Sequence, residues 1–233
     1  MTANGKKQVA FVLYPEFTLL DVAGPLQVFS HTNMFSKVFE PVVVAERAGQ
    51  FTTDTPMPVT ATHTFEDVPQ PSIVLVPGGS AATIRAMGDE AIRDYLSSVA
   101  ETADVVGSVC TGSLILGAAG FLEGRRATTH WAFYSLLEKL GATYQRERWV
   151  EDGKFVTAAG VSAGIDLGLH LVGRFTDEMT ARLVQARIEY DPEPPFGRLD
   201  WSLIDRDVMA PMIKLWVTSE LADRPDLQAR LGM

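Results

Sequence analysis

The sequence contains a single cysteine, Cys110, among its 233 residues. A lone cysteine excludes an internal disulfide, and a reducing compartment is the simplest setting for such a chain, so we expect a cytoplasmic protein. No run approaches the ~18 consecutive apolar residues that span a bilayer. The amino-terminal lysines lead directly into a short strand-like stretch, without the apolar core of a signal peptide. We therefore expect no membrane contact.

Basic residues are also scarce. Twenty Lys and Arg stand against twenty-nine Asp and Glu, which gives a formal net charge of -9. This excess of negative charge repels phosphate backbones, so we expect no nucleic-acid partner. The metal signatures C-x-x-C and H-E-x-x-H are absent, as are the nucleotide motifs G-x-G-x-x-G and the P-loop. The expected partner is a small-molecule substrate, with no metal and no cofactor.

Strand-like and helix-like segments alternate along the chain. Short apolar runs at 8–15, 71–80 and 104–109 predict buried strands. Segments with helical spacing of apolar residues follow, among them "DVAGPLQVFSHTN" and "TGSLILGAAGFL". Such alternation predicts an α/β fold with a mostly parallel central sheet covered on both faces.

The remainder of the chain shows no repeat, low-complexity tract or linker. "RERWVEDGKFVTA" predicts a hairpin that turns at Asp152-Gly153. The prolines in 190–197 exclude a helix there, and 205–222 predicts a last helix interrupted near Pro211. We therefore expect a single domain over 1–233, in which 198–233 is a C-terminal helical extension.

Three segments are expected to meet where ligands bind in open parallel sheets, at the carboxyl ends of the strands. They are the end of the first strand before Asp21, the pair Gly78 and Gly79 at the end of the run 71–80, and the turn at Cys110. The backbone N–H groups of Thr111 and of Gly78 or Gly79 are candidates to bind negative charge on a substrate.

The stretch "GSVCTGSLILG" (107–117) surrounds the cysteine with small residues. Gly107 and Gly112 flank it as a tight strand-to-helix turn requires, in the manner of a nucleophile elbow. At such a helix start, the pKa of a thiol can be lowered and the reactive thiolate favoured. Free cysteines are also commonly buried and inert, but the elbow pattern favours Cys110 as a nucleophile.

Two other residues allow two interpretations each. Asp21 is either the N-cap of the first helix or a carboxylate that faces the thiol as proton donor and acceptor. His130, in "ATTHW", either assists the thiol or lines the pocket as a hydrogen-bonded residue, and we favour the second.

A second elbow-like motif, "GVSAG" (160–164), fits G-x-S-x-G and offers Ser162 as a serine nucleophile. The only histidine after it is His170, eight residues along the same predicted helix. Two helical turns separate the two side chains by about 12 Å, too far for a hydrogen bond. We therefore expect Ser162 to be a helix cap.

Several stretches together resemble the ThiJ/PfpI superfamily and, within it, the isocyanide hydratases. The resemblance covers about residues 8 to 198 and rests on "VLYPEFTLLDVAGPLQVF", "VLVPGG", "GSVCTGSLILGAAGFLEGRRATTHW", "VTAAGVSAGIDLGLHLV" and "EYDPEPPFG". It implies a flavodoxin-like sandwich, a homodimer, and Cys110 as nucleophile on a strained elbow.

The resemblance also implies a reaction. Asp21 and Cys110-Thr111-Gly112 match the isocyanide hydratases, whereas many superfamily members have glutamate at the first position and the protease-like branch has Cys-His-Gly. The implied reaction adds water to an isocyanide, R-NC, and gives an N-substituted formamide. Cys110 would form a covalent thioimidate, Asp21 would act as general acid and base, and Thr111 with Gly79 would orient the polar end of the substrate.

Two other functions are compatible with a reactive Cys110. A thiolate can add to the carbonyl of an α-oxoaldehyde, as in a glyoxalase-like or deglycase-like enzyme. A non-enzymatic protein could instead respond to oxidants by oxidation of Cys110 to a sulfinic acid.

Overall fold

A computed structural model describes residues 5–232 of the chain. Its strands, in chain order, are β1 (Lys7–Val12), β2 (Phe39–Ala45), β3 (Gly49–Phe51), β4 (Val59–Ala61), β5 (His63–Thr64), β6 (Ile73–Val76), β7 (Val105–Ser108), β8 (Arg126–Ala127), β9 (Thr143–Tyr144), β10 (Trp149–Asp152) and β11 (Phe155–Ala158). Its α-helices are α1 (Leu19–Thr32), α2 (Ala81–Met87), α3 (Glu90–Thr102), α4 (Gly112–Ala118), α5 (Tyr134–Lys139), α6 (Ala163–Phe175), α7 (Glu178–Arg187), α8 (Ala210–Glu220) and α9 (Pro225–Arg230). Within the described range, none of the helices is long and apolar enough to cross a membrane.

The centre of the molecule is a seven-stranded sheet with the order β10-β11-β7-β6-β1-β2-β5. Neighbouring strands are parallel except for the β10–β11 hairpin at one edge. Every residue of β6, β7 and β11 is buried, as expected for central strands covered on both faces. The predicted flavodoxin-like α/β fold and the predicted hairpin are confirmed.

The helices that cover the sheet form two packed groups. One contains α1, α6 and α7, and the other contains α2, α4, α5 and α8. Within α3, Ile92, Leu96 and Val99 lie on one side at helical spacing and are buried. The N-cap of this helix is Asp89, whose side chain accepts a hydrogen bond from the Ile92 N–H.

The C-terminal helices differ from the prediction. The last predicted helix was expected to be interrupted near Pro211, but α8 begins at Ala210 and carries Pro211 in its first turn, where the missing N–H costs nothing. The short helix α9 was not predicted. Arg85 on α2 pairs with Glu220 at the end of α8 and with Glu16 in the loop after β1.

The turn from β7 into α4 leaves no room for a side chain at Gly112. A Cβ atom there would lie inside contact distance of the Val76 carbonyl oxygen and 2.7 Å from that of Pro77. Both oxygen atoms belong to the backbone, which cannot move aside without a cost in free energy. The elbow is therefore packed directly against the end of β6.

We expect Gly112→Ala to lower the free energy of unfolding by about 1–3 kcal/mol, because the added methyl group displaces backbone at the elbow. The matched control is Gly173→Ala in α6, where a Cβ atom would meet only Ala181 Cβ, at the ordinary distance of 3.6 Å. That control should be neutral or stabilising by up to about 1 kcal/mol. Urea unfolding measures both, and equal stability of the two variants would contradict close packing at the elbow.

Candidate active site

The loops at the carboxyl ends of the central strands are tied to one another by backbone hydrogen bonds. The Val109 N–H donates to the Val76 carbonyl at 3.0 Å, and the Cys110 N–H donates to the Ala159 carbonyl at 2.8 Å. The Thr18 N–H donates to the Gly78 carbonyl at 2.8 Å. These bonds bring together the three segments that the sequence analysis placed at this edge of the sheet.

Cys110 occupies the left-handed region of backbone conformation, with φ of 58°. A residue with a Cβ atom is strained there, and such strain is concentrated at functional sites. Ser80 (φ 48°) and Glu16 (φ 64°), in two adjoining loops, also have positive φ. The strained elbow that the family resemblance implies is therefore present.

Asp21 lies in the first turn of α1 and is 1% exposed. Thr18 occupies the N-cap position, so the interpretation of Asp21 as N-cap is wrong. Asp21 Oδ2 instead accepts a hydrogen bond of 2.7 Å from the Gly78 N–H across the sheet edge. The other oxygen, Oδ1, is buried and has no hydrogen-bond partner.

Burial raises the pKa of Asp21 to about 8, because the charged carboxylate loses its hydration. The Gly78 N–H acts in the opposite sense, since its hydrogen bond favours the charged form, while the nearby charge of Asp54 raises the pKa further. The Asp21 side chain is therefore mostly a neutral carboxylic acid at pH 7.

Burial also raises the pKa of the Cys110 thiol, and the negative charge of Asp21 adds to this effect. The backbone N–H of Thr111 lowers it, but to a smaller extent. The lowered thiol pKa that the helix start suggested is therefore wrong for this site, because Cys110 is only 5% exposed and its desolvation outweighs the nearby N–H groups.

Gly78 and Gly79 arrange the polar side chains of the site. A Cβ atom on Gly78 would lie 2.5 Å from Thr111 Oγ1 and 2.9 Å from Asp21 Oδ2, so only glycine allows both to approach. The Gly79 N–H donates to Thr111 Oγ1 at 3.1 Å. The N–H groups of Gly78 and Gly79 were expected to be available to a substrate, but each is already engaged by a protein side chain.

A cavity of about 380 Å³ opens beside Cys110. The cavity is lined by both apolar and polar residues: Thr18, Leu19, Leu20, Ala23, Asp54, Thr55, Ser80, Cys110, His130 and Val161. Burial lowers the pKa of His130, which favours its neutral imidazole. The Ala132 N–H donates a hydrogen bond of 3.4 Å to His130 Nδ1. The His130 side chain lies in the wall of the cavity, as the favoured interpretation expected.

The second elbow-like motif is not assembled as a catalytic pair. Ser162 occupies the N-cap position of α6, as expected, but its side chain makes no capping bond and instead accepts a hydrogen bond of 3.0 Å from Arg148. His170 Nε2 is hydrogen-bonded to Glu151 Oε2 at 3.0 Å. The two side chains have separate partners.

Among the residues of the site that sequence reasoning missed are Tyr14, Asp54, Thr83 and Val161. Tyr14 lies two residues after the first strand and could have been noticed there, whereas Asp54 and Thr83 lie in segments with no catalytic motif. Within residues 5–232, no group of three or more His, Cys, Asp or Glu side chains is placed to hold a metal ion.

Comparison with known proteins agrees with this geometry. The family model described as "DJ-1/PfpI family" matches residues 7–174. An isonitrile hydratase of Pseudomonas putida is 42% identical over 194 residues, which are 81% of this chain and 81% of that protein.

Solved structures agree as well. The crystal structure of a ThiJ/PfpI family protein from Pseudomonas syringae superposes with a TM-score of 0.83 at 33% identity, covering 98% of this chain and 92% of the other. Oxidized DJ-1 of Toxoplasma gondii shares the fold, with a TM-score of 0.69 at 17% identity, over 80% of this chain and 100% of that one. With its parallel sheet, its strained cysteine elbow and these relatives, the chain belongs to the DJ-1/PfpI family.

Proposed function

We propose that this protein is an isocyanide hydratase, which adds water to R-NC and releases the N-substituted formamide R-NH-CHO. The observation that carries the proposal is the buried carboxyl of Asp21, which the Gly78 N–H holds beside the Cys110 thiol and whose pKa burial raises to about 8. An isocyanide carbon must gain both a nucleophile and a proton, and this pair supplies both. The 42% identity to a protein named isonitrile hydratase supports the same reaction.

The first step forms a covalent bond between Cys110 and the substrate. Cys110 Sγ attacks the isocyanide carbon while Asp21 donates its proton to that carbon. The proton of the thiol passes to the Asp21 carboxyl, which ends the step protonated again. The product is the thioimidate Cys110-S-CH=N-R.

Water then opens this intermediate. Asp21 takes a proton from water as the oxygen attacks the thioimidate carbon, and it gives its own proton to the nitrogen. The resulting adduct, Cys110-S-CH(OH)-NH-R, loses its C–S bond as the carbonyl forms, and the hydroxyl proton returns to sulfur through Asp21. The net reaction consumes one R-NC and one water, and it needs no cofactor.

The cavity fits the two ends of such a substrate. We assign the apolar lining residues Leu19, Leu20, Ala23 and Val161 to the R group. The small polar end would lie between Cys110 and Asp21, where Gly78 holds the carboxyl in place.

The proposal extends to the cellular location, the oligomeric state and the domain organisation of the protein. We propose a cytoplasmic homodimer, on the support of the family resemblance and the lone cysteine. We also propose one domain over 1–233, with 198–233 as its helical extension. The buried residues of that extension support this, since they pack into the same apolar cluster as the central strands; they are Ile213, Val217, Leu221, Leu227 and Leu231.

The redox alternative fits the site less well. Redox-sensing cysteines combine a low pKa with exposure to solvent. Cys110 is buried, and its pKa is raised. The site therefore favours a substrate that enters the cavity and is turned over.

We expect Cys110→Ala to reduce the hydration of phenyl and cyclohexyl isocyanide by at least about 1000-fold, because no covalent intermediate forms. Asp21→Asn should reduce it by about 10²–10⁴-fold, since the amide cannot exchange the proton. Asp67→Asn is the matched control. It changes an exposed carboxyl that takes no part in the proposed reaction, and it should retain wild-type rates.

Formation of the formamide, followed by chromatography, measures these rates. Absence of formamide with the wild-type protein would refute the hydratase. Production of lactate from methylglyoxal in its place would support the glyoxalase-like alternative.

The raised pKa of Asp21 also predicts the pH dependence of hydration. Because the first step uses the protonated carboxyl, kcat/KM should be constant below about pH 7 and fall as the pH rises through about 8. Steady-state assays over pH 6–10, with circular dichroism at each pH to establish that the protein remains folded, test this. A rate that rises between pH 7 and 9 would mean that the deprotonated pair is the reactive form.

A further inference from the structure

Three hydroxyl groups form a buried chain behind Cys110. Tyr14 OH donates to the Pro77 carbonyl at 2.8 Å and lies 2.9 Å from Thr83 Oγ1. Thr83 Oγ1 lies 2.8 Å from Thr111 Oγ1. All three residues are buried, so no bulk water competes for these bonds.

The directions of these bonds follow from the number of protons. The Pro77 carbonyl can only accept, so the single hydroxyl proton of Tyr14 is committed to it. Thr83 must then donate its proton to Tyr14, and Thr111 must donate its proton to Thr83. Thr111 Oγ1 also accepts the Gly79 N–H, so its remaining capacity is one lone pair.

Thr111 directly follows Cys110 in the chain, and its side chain lies beside the Cys110 thiol. We propose that Tyr14 and Thr83 are positioning residues that commit the Thr111 proton to Thr83, so that Thr111 does not donate it to the sulfur of Cys110. This arrangement withholds one hydrogen bond from the thiolate and adds to the effect of burial in favouring the thiol, whose proton is available for transfer to Asp21. The role of the chain in proton transfer rests on the proposed hydratase function, whereas the order of its hydrogen bonds does not.

Removal of the Tyr14 hydroxyl reverses one bond. In Tyr14→Phe, Thr83 has lost its acceptor and turns its proton to Thr111 Oγ1, its remaining neighbour at 2.8 Å. The proton of Thr111 is then released and can be donated to a thiolate at Cys110. The thiolate gains one hydrogen bond, and the thiol ionises at a lower pH.

The other titratable groups that face Cys110 stay in place in this variant. They are Asp21 from the first turn of α1, Asp54 from the loop after β3, and His130 after β8. None of them is hydrogen-bonded to Tyr14 or Thr83 in the described structure. A change in thiol ionisation can therefore be attributed to the hydroxyl chain.

The experiment measures the rate of alkylation by iodoacetamide from pH 5 to 10. Cys110 is the only cysteine in the chain, so the reaction reports this thiol alone. We expect Tyr14→Phe to be alkylated about tenfold faster than the wild type at each pH on the rising part of the profile, which corresponds to a thiol that ionises about one pH unit lower, as one added hydrogen bond to the thiolate implies. This readout requires no isocyanide, so the inference can fail while the hydratase stands, and the reverse.

Tyr95→Phe is the matched control. Tyr95 is also buried and also donates its hydroxyl proton to a backbone carbonyl, that of Val68 at 3.0 Å, but it lies outside the chain to Thr111. Its alkylation profile should coincide with that of the wild type. Thr83→Ser keeps a hydroxyl at the middle of the chain and should also coincide with it.

Thr83→Val provides an independent variant if Tyr14→Phe does not fold. It removes the acceptor of the Thr111 proton, and the same shift to lower pH is expected. An unshifted profile in the folded Tyr14→Phe or Thr83→Val protein would overturn the inference. An equal shift in Tyr95→Phe would overturn it as well, since the effect would then be general to lost buried hydroxyl groups.

Discussion

The hydrogen bond from the Gly78 N–H to Asp21 Oδ2 is the interaction on which the site depends. It joins the loop after β6 to the first turn of α1 and holds a carboxyl group where water cannot solvate its charge. One oxygen has a partner and the other has none, so the neutral acid is favoured and a proton is kept beside the nucleophile. Without this bond, the burial of Asp21 would leave a polar group unpaired, at a cost of about 1–3 kcal/mol.

Close backbone packing makes that geometry possible. Because Gly78 has no Cβ atom, Thr111 and Asp21 can both approach its backbone closely. In the same way, Gly112 lets the elbow lie against the end of β6. Cys110 is held in a strained conformation by bonds to two neighbouring strand ends. Hydrogen bonds that are made elsewhere in the fold therefore offset the strain at the nucleophile.

Helix α8, in the C-terminal part of the chain, packs against an element that forms part of the site. Arg85 lies on α2 and connects α8, through Glu220, with the loop that precedes Asp21, through Glu16. Helix α2 also carries Thr83, the middle member of the hydroxyl chain. Packing of α8 on α2 thus places a remote part of the chain in contact with the element that positions Thr111.

The amino-acid sequence by itself determined the alternation of strands and helices and the location of Cys110 and Thr111 at the turn from a strand into a helix, because apolar periodicity and turn residues are local properties. It also indicated the reactive cysteine, since a glycine-flanked elbow is a local pattern. Only the tertiary structure decided the protonation of Asp21 and Cys110, because desolvation depends on what the whole fold places around a group. Likewise, Tyr14 and Thr83 are 69 residues apart and meet Thr111 only when β1, α2 and the elbow pack together.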